Sequence, residues 1–209
     1  MKPALKELDY VTAAQMIGCS VAMIKAVCKV EAPKGGFFKN DRPTILFEPY
    51  WFGELTGHKY DNTVIQIDNV NYPLSLNRRK LPWSVKNAKY GASDIQYEKL
   101  EAAMKFDKDA AQKSCSWGKF QILGVDYKIC GFKTLDEFVA AMYESERKHL
   151  FAFINFVKAK KLDDELQRED CLNFAIGYNG PKQDKGTVDE KDDYSYFLKV
   201  ALDEYKRVA

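Results

Sequence analysis

Histidine is scarce in this 209-residue chain: it has two, His58 and His149. Two lone histidines do not make a site, and both are expected to be surface or helix residues. The five cysteines (Cys19, Cys28, Cys115, Cys130, Cys171) are odd in number and contain no C-x-x-C pair. That count argues against a disulfide framework and against zinc, and no cofactor is expected. Cys28 and Cys171 sit among apolar residues and read as small buried hydrophobes, so a reducing compartment fits best. No apolar run approaches a membrane span, and MKPALKELDY lacks the apolar core of a signal peptide. Cytosolic synthesis is therefore expected. An excess of charge is missing too: 32 basic against 30 acidic side chains leave +2, not the basic field that nucleic acid requires. With no repeats, low-complexity tract or linker, and 46% hydrophobic residues, residues 1–209 read as a single domain with one core.

The most informative stretch that is present is Ser20 to Phe38, SVAMIKAVCKVEAPKGGFF. Ser20 can cap a first turn, and Val21, Ile24, Val27 and Cys28 have the spacing of one buried helical stripe. The next position on that stripe is Glu31. Pro33 and Gly35-Gly36 then stop the helix and open a loop. Burial and the negative end of the helix dipole both oppose ionisation of such a carboxyl group. A carboxylic acid that stays protonated is what a general acid requires. The alternative on spacing alone is a Glu exposed at a frayed last turn.

Along the rest of the chain, Asp9 to Cys19 predicts an amphipathic helix capped by Asp9 and ended by Gly18. Arg42 to Glu48 has the β-branched and aromatic character of a strand, followed by Pro49 and the cluster Tyr50, Trp51, Phe52. Gly57 to Ser84 is irregular, with Val64 to Val70 a short strand or a loop. Ser93 to Lys113 predicts a helix capped by Ser93. Thr134 caps another to Lys161, whose polar middle, Glu144 to His149, marks an exposed turn or a break. Asp163 to Gly177 reads as one short helix and leads into Tyr178-Asn179-Gly180-Pro181. Asp193 begins the last helix. The fold class is mainly α with a small β region (α+β).

Taken in order, a Glu at a helix end, then SWGKFQILG, then FAIGYNGP resemble the lysozyme superfamily, its goose-type and lytic-transglycosylase branches in particular. More closely, KAVCKVEAPKGGFF, RPTILFEPYWF, CSWGKFQILG and NFAIGYNGP are similar to the phage-type N-acetylmuramidase domain of endolysins from phages of Gram-negative bacteria. Four separated motifs match in collinear order over most of residues 9–207, although YNG alone also reads as an ordinary turn. The resemblance implies a lysozyme-like fold and one catalytic domain without a separate wall-binding module. Two departures stand out. The family usually has Ser or Thr and then Gly after the catalytic Glu, where this chain has Ala32-Pro33. It usually has a basic residue and His after the second Glu, where this chain has Pro49-Tyr50, so no His acts beside Glu48.

The substrate so implied is the β-1,4 bond between N-acetylmuramic acid and N-acetylglucosamine in peptidoglycan. Its cleavage needs a proton on the leaving oxygen and, in most glycosidases, a second carboxylate. The resemblance assigns the proton to Glu31. Glu48 is the second carboxylate by position, or else a structural residue that accepts backbone N–H groups of the Gly35-Gly36 loop. Ser116, Gln121, Tyr178 and Asn179 are expected to line the cleft, with the Tyr178 phenol within reach of Glu31. Trp117 reads as core. Tyr50, Trp51 and Tyr72 are candidates to stack on sugar rings. The rival readings are a lytic transglycosylase on the same scaffold and a non-catalytic peptidoglycan-binding protein. Further implied are peptidoglycan glycan strands as partner, no nucleic acid, no stable membrane insertion and a monomer. Synthesis in the host bacterial cytoplasm, and action in the periplasm after release by a separate pore-forming protein, are implied as well.

Overall fold

Side-chain caps fix where five of the described helices begin. Ser20 Oγ accepts the N–H of Met23 at 3.1 Å and starts the helix that ends at Glu31, as its sequence predicts. The computed structural model describes residues 2–31, 35–77, 92–179 and 194–208. In chain order the elements begin with α1 (Glu7–Ile17), α2 (Val21–Glu31), β1 (Ile45–Phe47), α3 (Pro49–Leu55), β2 (Val64–Ile67) and β3 (Val70–Pro73). Next come α4 (Gln96–Met104), α5 (Lys108–Lys113), β4 (Cys115–Trp117), β5 (Ile122–Leu123) and a 3-10 turn at Gly124–Asp126. Last are α6 (Leu135–Glu144), α7 (Glu146–Ala159), α8 (Asp163–Gln167), α9 (Cys171–Asn179) and α10 (Tyr194–Arg207). No single helix among the described residues is long and apolar enough to cross a membrane.

These elements form two compact units. The first comprises the described parts of Met1–Gly36, Ile129–Gly131 and Glu144–Ala209. It is all helical, and α2 packs against α1 and α10. Met23, Ile24, Val27, Leu150, Phe153, Ile154, Phe174 and Leu198 are fully buried there. The second unit comprises Phe37–Lys128 and Phe132–Tyr143. Its centre is a three-stranded antiparallel sheet in the order β1-β4-β5, with Leu46 opposite Ser116 and Ser116 opposite Leu123. Phe47, Phe52, Trp117, Phe120, Phe138 and Met142 fill its core. β2 and β3 make a separate hairpin, which turns at Asp68 and Asn69, both with positive φ.

Four boundaries differ from the sequence reading, each for a local reason. Asp9 is not the cap of α1 but lies in its first turn. Its carboxylate reaches back to the Lys6 N–H at 2.9 Å and pairs with Arg147 at 2.5 Å. The helix predicted from Ser93 starts later, at Gln96, and breaks after Met104. Asp107, in extended conformation, caps α5 by accepting the Ala110 N–H at 2.9 Å, and so restarts the helix. Asp170 likewise accepts the Asn173 N–H at 3.1 Å and divides the predicted Asp163–Gly177 helix into α8 and α9. The aromatic cluster after Glu48 is helical, because Pro49 at the first position is already set for α3. Thr134 does cap α6, and the expected break falls at Ser145, which caps α7. Pro33, Gly180, Pro181 and Asp193 lie outside the described residues.

Candidate active site

Glu31 closes α2, whose Ile24, Val27 and Cys28 are buried along the stripe that leads to it. Its Oε1 is buried and accepts no hydrogen bond among the described residues. Burial therefore raises the pKa of this carboxyl above the ordinary 4.5. The Tyr194 phenol, at the head of α10, pulls weakly in the other direction.

Tyr178 is a second phenol that feels the Glu31 charge. Its ring is held by Phe174, stacked at 5.6 Å, and by the edges of Phe153 and Phe156 at 5.5 and 6.0 Å. The residue as a whole is half-buried, while its hydroxyl is enclosed. Burial first, and then the Glu31 charge, hold the pKa values of Tyr178 and Tyr194 well above that of a free tyrosine. Both phenols are therefore held in their protonated form. Asn179, at the end of α9, is exposed.

In the second unit, Glu48 stands at the junction of β1 and α3, and its N–H donates to the Ser114 carbonyl at 3.0 Å. Ser116, on β4, donates its hydroxyl to Glu48 Oε1 at 2.6 Å. Ser116 is thus turned onto the second carboxylate and is itself nearly buried. On the other edge of β1, the fully buried Gln96 accepts the Phe47 N–H at 3.0 Å and fixes the strand leading to Glu48. At the glycine loop, the Gly36 N–H donates to Glu146 Oε1 at 2.6 Å.

SWGKFQILG has its own local logic. Gln121 adopts φ +47 and closes its turn by donating Nε2 to the Gly118 carbonyl at 2.9 Å. The side chain is exposed, but that nitrogen is occupied by the turn. The Trp117 indole donates to the Gln112 carbonyl at 3.0 Å, and the residue is core, as expected. Gly124 packs onto the same carbonyl so closely that no Cβ fits. Tyr50 is only 3% exposed and so is too enclosed to stack on a sugar, whereas Trp51 and Tyr72 are half-buried. His149 is a buried helix residue, and His58 is a partly exposed partner of Glu54 and Asp61. Surface cavities of about 400 Å³ near Lys108 and about 310 Å³ near Lys25 include none of the candidate residues.

The sequence model of the N-acetylmuramidase family matches residues 20–198, a span that carries Glu31, Glu48, Ser116, Gln121, Tyr178 and Tyr194. The chain belongs to that family. The muramidase is also similar to the Burkholderia AP3 phage endolysin in its crystal structure, at 28% identity and a TM-score of 0.79. That match covers 98% of this chain and 72% of the other. No curated protein sequence matches it. The muramidase is a peptidoglycan-degrading enzyme with a mainly helical, lysozyme-like fold.

Tyr194 and Glu146 escaped the sequence reading. Both head apolar stripes: Tyr194 precedes Leu198, Ala201 and Leu202, and Glu146 precedes His149, Leu150 and Phe153. A polar residue on the buried face, the signal that singled out Glu31, was present at both.

Proposed function

We propose that the muramidase cleaves the β-1,4 bond between N-acetylmuramic acid and N-acetylglucosamine, with Glu31 as general acid. The observation that carries this reading is the Glu31 carboxyl at the end of an apolar stripe, its Oε1 buried and without a partner among the described residues and its pKa raised by burial. A neutral carboxyl donates its proton to the glycosidic oxygen as the sugar acquires oxocarbenium character. The Tyr178 and Tyr194 phenols then serve as donors to the carboxylate left behind, which lowers the cost of charge in a buried place. Glu48, fixed by Ser116, is the second carboxylate that attacks the anomeric carbon or activates water. Gln121 and Asn179, both exposed, contact the glycan.

The likeness to a phage endolysin supports host lysis as the biological role. In that role residues 1–209 work as one catalytic domain and as a monomer. The enzyme is made in the bacterial cytoplasm, is released by a separate pore-forming protein, and acts on the wall in the periplasm. The test is a digest of purified peptidoglycan followed by mass spectrometry. Wild-type enzyme is expected to release fragments with reducing muramic ends, and Glu31→Gln to lose activity by about 10²- to 10⁴-fold, the usual share of a general acid. Products ending in 1,6-anhydro rings would reassign the enzyme as a lytic transglycosylase. Binding without release of soluble fragments would make it a wall-binding protein.

A further inference from the structure

Glu146 is a buried acid that the proposed mechanism does not use. It opens α7, where Ser145 supplies the cap, and is 8% exposed. Its Oε1 accepts the Gly36 N–H at 2.6 Å and its Oε2 accepts the Leu5 N–H at 3.4 Å. Its own N–H points to the Pro3 carbonyl at 3.5 Å. Two segments, 110 and 141 residues away in sequence, therefore converge on one carboxylate.

The first of those segments includes the described Gly35-Gly36 pair. Gly36 is buried and lies five residues past Glu31 in sequence. Gly35 has φ +83, and a Cβ there would stand 3.2 Å from Glu146 Oε1, so a side chain beside the clamp is disfavoured twice. A second link runs through Tyr10, whose phenol is pushed up to about 12, first by burial and then by Cys28 and, among others, Glu146. Cys28 lies one turn before Glu31 on α2. The Glu146 carboxylate and the last turn of the Glu31 helix thus act electrostatically on the same phenol.

We propose that Glu146 is a positioning residue for the muramidase reaction: its carboxylate pins Gly36, five residues past Glu31 in sequence, and thereby holds Glu31 where its proton is delivered. The role rests on the reading of Glu31 as the acid. In this role Glu146 acts through the backbone at Gly36 and not on the substrate. A charge-assisted bond to a backbone N–H suits this task because its geometry is narrow. Displacing a catalytic group by about 1 Å can cost on the order of 10²-fold in rate.

The experiment is steady-state kinetics on solubilised, uncrosslinked glycan strands with wild type, Glu146→Gln, Glu146→Asp and Glu31→Gln. Near-ultraviolet circular dichroism at the assay temperature checks that each is folded. Glu146→Gln keeps the reach and loses the charge and one acceptor; Glu146→Asp keeps the charge and loses the reach. Both are expected to lower kcat by about ten-fold, with KM unchanged within about two-fold, as misplacement of a catalytic group predicts. If Glu146→Asp does not fold, Glu146→Gln decides by the same criterion. Wild-type kcat in folded Glu146 variants beside a dead Glu31→Gln overturns the positioning role alone, as does a raised KM at constant kcat. An active Glu31→Gln would instead remove the acid on which that role rests.

Discussion

Lys99 shows how far a single buried charge can set the behaviour of this protein with pH. It is fully buried in the second unit, with Nζ 4.9 Å from the centre of the Tyr72 ring, and burial lowers its pKa from 10.5 to about 8. The unfolded chain holds this proton up to about pH 10.5, while the folded chain gives it up near 8. The fold therefore bears the cost of a buried ammonium at neutral pH, about 3 kcal/mol for a shift of this size, and sheds it as pH rises from 8 towards 10.5. Lys99→Met is expected to raise the midpoint of thermal unfolding at pH 7, with the advantage over wild type shrinking across that window. A variant less stable than wild type at pH 7 would mean that the contacts of this ammonium outweigh its desolvation. Glu31 follows the same physics with opposite charge, since its neutral form is the one the fold prefers.

At the level of elements, the three-stranded sheet is what brings Ser116 to Glu48. Leu46 pairs with Ser116 across β1 and β4, and Glu48 follows two residues later on the same strand exit. The 2.6 Å bond from the Ser116 hydroxyl then spans 68 residues of sequence. Removing a hydrogen bond to a charged group in such a place costs about 2 kcal/mol. Ser116→Ala is expected to lower stability by about that amount in urea unfolding and to lower kcat as Glu48 loosens. Unchanged stability and kcat together would deny the pair any function. The pairing was not visible in the chain, because cross-strand register depends on partners far apart in sequence. Local signals fared better: Ser20, Thr134 and the break at Ser145 were legible from capping chemistry alone. Asp107 and Asp170 misled because the apolar spacing continues past them, although their carboxylates cap new helices.

On the scale of the whole molecule, the described chain folds as two units, and the family match from residue 20 to 198 runs through both. Helical periodicity and the four motifs made the fold class and the family legible. Glu31 was legible as well, because a carboxylate on a buried stripe breaks a pattern that composition otherwise enforces. Of its surroundings, Tyr178 was expected from the family's motif, but Tyr194 and the clamp at Glu146 were not: they come from helices distant in sequence, and only tertiary packing assembles them. The account turns on the protonation state of one carboxyl group. The direct measurement is an NMR titration of the glutamate side-chain carboxyl carbons, with the Glu31 signal assigned by its loss in Glu31→Gln. The account predicts a midpoint clearly above the ordinary 4.5. A midpoint at or below that value would show Glu31 ionised where it must hold a proton, and would contradict its role as the acid.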